Sequence, residues 1–358
     1  MRFVTINSLK EGMVIAKPIL GNNGEILLHS GVVLREPYII RLKEMGFPGI
    51  YIEDTLSKDI NVSDLIDPNL RSNCIKAIKD LYTDLINGKL ISEKIVKEIG
   101  MLLDEVIDNI LNNSELIVNI IDLKSYDDYT YSHSVNVCIL SLSIGCVMGL
   151  SKSILFKLGM AALMHDLGKV FIPKEILNKT GELSRNEYEI IKSHPYKGYQ
   201  VLKENHLFPY YSCIGVLHHH ERYNGTGYPN ELTGTDISLL GRIITVADVY
   251  DALTSDRPYR KAMFPSEAIE YIMGGGGTLF DPDITRIFTR IVAPYPIGTC
   301  VILSNNDIGI VVKNYADCCM RPLIRIIKHN GEYVTPYEID LKNDNSARGI
   351  VITGIADL

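Results

Sequence analysis

An apolar run, LGMAALM at positions 158–164, ends on His165-Asp166-Leu167-Gly168-Lys169. The run reads as a helix, and on a helix neighbouring side chains point about 100° apart, so His165 and Asp166 are expected to diverge. They can serve two adjacent metal ions only if other segments complete the coordination. The chain offers such segments. His133 lies in YTYSHS, a candidate helix start, and His194 lies in IKSHP. His219 and His220 lie in LHHHER, and Asp248 in ITVADVYDALTS. Imidazole and carboxylate together suit iron, manganese, zinc, cobalt or nickel rather than an ion that prefers oxygen alone. A lone histidine usually packs or faces solvent. Five of the chain's nine histidines, each in its own short motif beside Asp166 and Asp248, argue instead for a shared centre.

The texture of the chain changes three times. Residues 1–55 read as a small β-rich unit: VIAKPIL, the turn GNNG, EILLHSGVV and GIYIE, with one helix near Pro37–Met45. Residues 56–118 turn helical. Ile91, Ile95, Ile99, Leu102, Leu103, Val106 and Ile110 recur at the spacing of an amphipathic stripe. Such a stripe packs on its own domain or joins two copies, so region 62–118 is also the candidate homodimer surface. Residues 119–292 stay helical and hold the five histidines. From 293 to 358, TCVILS, NNDIGIVVK, LIRIIK and GIVITGI predict a small β-barrel or sandwich. The expected fold is therefore mainly α, an all-helical core between two β-rich flanks. GGGG at 274–277 reads as a loop between helices, since no GK[ST] follows it.

Composition narrows the function. With 46% hydrophobic and 22% charged residues, the chain has the make-up of a folded globular protein. A formal net charge of -7 argues against a polymeric nucleic acid as partner. No apolar run is expected to reach the roughly 18 residues of a membrane span, and the first residues lack the build of a signal peptide. The expected compartment is the cytoplasm, where the seven cysteines would be free thiols.

HDLGK, followed by HHHERYNGTGYP and VADVYDALTSDRPYRKA, closely resembles the HD-GYP branch of the HD phosphohydrolases. The similarity runs from about Tyr129 to Pro282, and the motifs match in order and spacing. It implies hydrolysis of cyclic di-GMP, to the linear dinucleotide or to GMP, by a metal-bridging hydroxide at two divalent transition-metal ions, iron or manganese foremost. Carried over residue by residue, one ion would take His133, His165, Asp166 and Asp248. The other would take Asp166, His194, His219 and His220, with Asp166 as bridge. Tyr129 stands where some relatives carry a glutamate for a third ion. His218 is left to packing, and Lys179, Gly181 and Glu187 to structure.

The substrate would be gripped by Lys169, Arg257 and Arg260, and by the loop of Gly225, Gly227, Tyr228 and Pro229. Lys169 lies one helical turn beyond His165, on the same expected face, and would meet phosphate charge. Arg257 and Arg260 have the spacing of two guanidinium groups on one turn. Two other readings stand beside this one. The same centre could act on another nucleotide such as cyclic GMP-AMP, or the domain could bind cyclic di-GMP as a sensor without turnover.

Overall fold

The computed structural model describes residues 1–21, 25–113, 117–119, 129–255 and 262–358. Asn22–Gly24 of the expected GNNG turn, and Arg257 and Arg260, lie outside the described residues. The chain divides into two compact units.

The helical unit comprises Ile66–Leu116 and Asp128–Ile291. Its element order is α2 (Pro68–Ile86), α3 (Glu93–Leu111), α4 (Tyr129–Val147), α5 (Lys152–Met164), a 3-10 turn (Leu167–Phe171), α6 (Lys174–Leu177), α7 (Arg185–Lys192), α8 (His194–Asn205), α9 (Tyr210–His218), α10 (Leu239–Thr254), α11 (Pro265–Gly274) and α12 (Pro282–Ile291). Helix α4 is apolar around most of its circumference: Val135, Val137, Cys138, Ile139, Leu140, Leu142 and Ile144 are all buried. A helix this apolar belongs in a core, and α5 and α10 pack along it. The window Thr130–Val147 is apolar and long enough to cross a membrane, contrary to the expectation from sequence, but 78% of it is buried inside the fold.

The 91–110 stripe finds its partners within this unit. Ile99, Leu103, Val106, Ile107 and Ile110 are buried, and α3 packs on α2, α4 and α5. Asp67 caps α2 by accepting from the N–H groups of Asn69 and Leu70, and Ser92 caps α3 through the N–H of Ile95. GGGG spans the end of α11 and the turn that leads to α12, with Gly277 at φ 78°.

The second unit comprises Met1–Leu65, Ile117–Asp127 and Val292–Leu358. Its N-terminal part has β1 (Arg2–Thr5), β2 (Val14–Ile15), β3 (Ile19–Leu20), β4 (Ile26–Leu28), α1 (Glu36–Glu44) and β5 (Gly49–Glu53). Strands β1, β5 and β2 form an antiparallel sheet in that order, and β3 pairs with β4. The C-terminal part has β6 (Cys300–Leu303), β7 (Ile308–Lys313), β8 (Leu323–His329), β9 (Glu332–Asp340) and β10 (Ile352–Ile355). They make one antiparallel sheet of order β10-β6-β7-β8-β9. Alternation along the strands turns Val301, Leu303, Val311, Ile324 and Ile326 into a single buried cluster. N- and C-terminal parts share contacts. Ile60 packs with Cys300, Ile310 and Ile327, and Arg325 donates to Asp59 (2.7 Å from Nη2) and to Glu338 (2.7 Å).

Candidate metal centre

Three of the histidines share one local device. His165 follows the last residue of α5, His219 follows the last residue of α9, and His194 stands where α7 passes into α8. Carbonyls in the last turn of a helix have no partner within it. Each ring takes one up: Nδ1 of His165 lies 2.8 Å from the Ala162 carbonyl, that of His194 2.7 Å from Ile191, and that of His219 2.6 Å from Val216. A carbonyl only accepts, so each Nδ1 carries the proton and each Nε2 is left with a lone pair. The apolar helices set these rings in the core, where His165 and His219 are fully buried and His194 nearly so.

The Nε2 atoms converge on Asp166. Its Oδ1 lies 3.3 Å from Nε2 of His194 and 3.9 Å from that of His219. Its Oδ2 lies 3.4 Å from Nε2 of His165 and 3.8 Å from that of His133. His133 Nε2 is also 3.1 Å from Oδ1 of Asp248, and His220 Nδ1 is 4.0 Å from Oδ2 of Asp248. Two groups of potential ligand atoms result, each within 4.8 Å: His133, His165 and Asp248, and Asp166, His194, His219 and His220. The aspartate oxygens face one group each.

These residues fit a bound cation. Nε2 of His165 and Oδ1 of Asp166 are buried without a well-formed hydrogen bond, which a fold tolerates only where something else satisfies them. The Nε2 atoms of His194 and His219 face each other at 3.3 Å. With both protons committed to carbonyls on Nδ1, two lone pairs confront one another, and a positive charge between them removes the conflict. Asp166, Asp248, His219 and His220 are held in the forms that ligate metal. Burial opposes ionising Asp166, but Lys169 and the neighbouring histidines outweigh it and hold the carboxyl well below the usual range. Asp248 is held down likewise, against burial, by His133 and its neighbours. Burial drives His219 far below the ordinary imidazole value and His220 to about 3. Burial would also depress His133, yet Asp248 and Asp251 raise it to about 9.

Two expectations about HDLGK need correction. His165 and Asp166 do not diverge; they lie 3.4 Å apart, because α5 stops at Met164 and helical spacing no longer applies. Lys169 does not extend that helix either. It sits in the 3-10 turn and donates from Nζ to Oδ2 of Asp166 at 2.6 Å. Gly168 lets the turn press on α8: a Cβ there would stand 1.9 Å from the carbonyl oxygen of His194.

The GYP loop borders the second group. The Tyr228 ring stacks on His220 with centroids 4.8 Å apart and planes at 30°. A Cβ at Gly227 would meet the Arg222 nitrogen at 2.3 Å, so the loop folds tightly on the residues after His220. Gly225 takes φ 81°, and the Tyr228–Pro229 bond is cis. Glu221, buried, accepts from the N–H groups of Asn230 (2.7 Å) and Leu232 (3.1 Å) and pins the far side of the loop. His218 lies in neither donor group; its Nδ1 accepts from the Ser238 N–H at 3.1 Å. Lys179 pairs with Glu187 at 2.7 Å, and Glu187 completes a capping box with Ser184 on α7. The Tyr129 side chain lies outside the described residues.

One functional candidate escaped sequence reasoning. Oδ2 of Asp251 lies 2.6 Å from Nδ1 of His133. The available signal was its place three residues beyond Asp248, on the same face of α10.

Residues 115–284 match the HD domain family, and residues 300–351 match a KOW domain associated with the HD domain. A cyclic di-GMP phosphodiesterase of Pseudomonas aeruginosa is 35% identical over 257 residues, 72% of this chain and 61% of that protein. A 3'3'-cGAMP-specific phosphodiesterase of Vibrio cholerae is 37% identical over 165 residues, 46% of this chain and 35% of that one. The chain thus spans less than two thirds of the length of these relatives. Among solved structures, Bd1817, a HDG"Y"P protein from Bdellovibrio bacteriovorus, matches 81% of this chain and 98% of its own with a TM-score of 0.51. At 17% identity that likeness speaks for the fold alone. The helical core with its paired His/Asp groups and its GYP loop stacked on one histidine is thus identified as an HD domain, followed by a KOW domain of the HD-associated kind.

Proposed function

We propose that the chain hydrolyses cyclic di-GMP at a pair of divalent transition-metal ions, iron or manganese foremost, with zinc, cobalt and nickel as candidates. The observation that carries this is the division of one buried carboxylate, Asp166, between two donor groups, with Oδ2 3.4 Å from His165 and Oδ1 3.3 Å from His194. Such a pair of ions would activate a water for attack and neutralise charge on the phosphodiester. His133, His165 and Asp248 would hold one ion, His194, His219 and His220 the other, and Asp166 both. Lys169, now on Asp166, would turn its ammonium to the substrate phosphate. Tyr228 and Pro229, on the loop shaped by Gly225 and Gly227, would border the dinucleotide, and Arg257 and Arg260 would grip it.

A 3'3'-cGAMP-specific relative gives the second reading, the same chemistry on cyclic GMP-AMP. Chromatography of products from metal-loaded protein, supplied in parallel with either dinucleotide, separates the two. Faster loss of cyclic di-GMP, with pGpG or GMP appearing, is expected. Preferential loss of cyclic GMP-AMP would reassign the substrate, and binding of cyclic di-GMP without turnover would make the chain a sensor. A homodimer through 62–118 would have to use what that region leaves exposed, Ile86, Leu90, Met101 and Leu111; sedimentation reads it.

A further inference from the structure

His133 is anchored differently from the three helix-end histidines. Its Nδ1 meets a side chain from another helix, and that side chain begins a longer connection. Asp251 Oδ2 lies 2.6 Å from His133 Nδ1, while Asp251 Oδ1 accepts from Nδ2 of Asn136 at 2.9 Å. Asn136 Oδ1 in turn accepts from Nη2 of Arg71 at 2.8 Å. His133, Asn136 and Asp251 are buried, at 2%, 4% and 1% exposure. The connection runs from the first turn of α2, through α4 and α10, to a residue whose Nε2 is 3.1 Å from Asp248.

The chemistry of the two ends dictates its direction. A guanidinium only donates, so Asn136 must turn its carbonyl to Arg71 and its NH2 to Asp251. A carboxylate oxygen accepts, so the ring of His133 must present a proton on Nδ1. Nε2, 3.1 Å from Asp248 and 3.8 Å from Asp166, is then the ring atom that would exchange its proton for metal. A carboxylate behind a ligating histidine fixes both tautomer and ring orientation. We infer that Arg71, Asn136 and Asp251 form a positioning relay that holds His133 ready for metal, so that helix α2 governs the affinity of one donor group and not the other. Arg71 lies outside the segment matched by the HD family, residues 115–284, so the relay brings in a residue from beyond that domain. The inference rests on His133 being a metal ligand; it does not depend on the substrate.

The test uses the full chain stripped of metal and titrated with zinc against a chromophoric chelator, with 15N-histidine NMR of the loaded protein. Asp251→Asn should weaken the zinc held by the His133 group about 10- to 100-fold and spare the other. It should also shift the His133 Nδ1–H resonance, because a neutral amide replaces the carboxylate beside it. Asn136→Leu and Arg71→Met should weaken the same zinc by successively smaller factors. If Arg71→Met fails to fold, Arg71→Gln replaces it, since glutamine can offer Asn136 either a donor or an acceptor and no longer fixes its amide. Wild-type affinity and unchanged His133 resonances in Asp251→Asn would overturn the relay. The same result in the Arg71 variant, or equal weakening of both zincs, would overturn the role of α2. A chain that passes these tests yet leaves cyclic di-GMP intact would refute the proposed activity alone.

Discussion

The histidines of the centre are anchored by different means. His165, His194 and His219 each hang on a carbonyl of their own helix three residues back, so a short stretch of chain supplies both ligand and anchor. His133 depends on Asp251, 118 residues away, and through it on Asn136 and Arg71. A locally anchored ligand survives rearrangement elsewhere, because its helix end carries the partner along. A ligand held by side chains from other helices responds to how those helices pack. The group that contains His133 would thereby answer to the packing of α2, α4 and α10, whereas His194 and His219 carry their anchors with them.

Asp166 faces both groups, one oxygen toward each, and its removal should have the largest effect. Asp166→Ala is expected to lower cyclic di-GMP turnover by several orders of magnitude and to reduce bound metal at both positions, read by elemental analysis. Near-normal turnover would remove the basis for a shared ligand.

Lys169→Ala comes next. Lys169 touches Asp166 at 2.6 Å, yet its assigned work is on phosphate charge. Turnover should fall far more than metal content, and metal lost in parallel with activity would make Lys169 a structural partner of Asp166.

Arg257→Ala should chiefly raise KM while both metal positions stay filled. Loss of metal with substrate binding intact would contradict the division between chemistry and recognition.

The smallest effect is expected from Ser184→Ala. It removes the cap of α7, the helix whose Ile191 carbonyl anchors His194. A stability loss of about 0.5–2 kcal/mol, seen by denaturant titration, should leave metal content unchanged. A selective loss at the His194 group would show that helix-end anchoring is less independent than proposed.

Legibility in the sequence follows the same line. The helical core, the β-rich flanks and the donor residues were readable, because each rests on periodicity or on a motif a few residues long. HDLGK misled in detail: helical spacing predicts that His165 and Asp166 point apart, but the helix ends at Met164 and the chain bends them together. Asp251 offered only its place three residues beyond Asp248, and Asn136 and Arg71 offered nothing, since the partners of all three lie 65 to 118 residues away. Nor does spacing carry any signal for Arg325 reaching Asp59 across 266 residues. The grip assigned to Arg257 and Arg260 falls outside the described residues, and Arg257→Ala is its test.

The central claim is that two metal positions sharing Asp166 act together on a cyclic dinucleotide. Turnover of cyclic di-GMP, followed while manganese or ferrous iron is added in measured equivalents to the metal-free chain under reducing conditions, tests it most directly. The account predicts little activity up to one equivalent per chain, a rise to a plateau at two, and no plateau in Asp166→Ala. A plateau at one equivalent, or no hydrolysis at any loading, would contradict it.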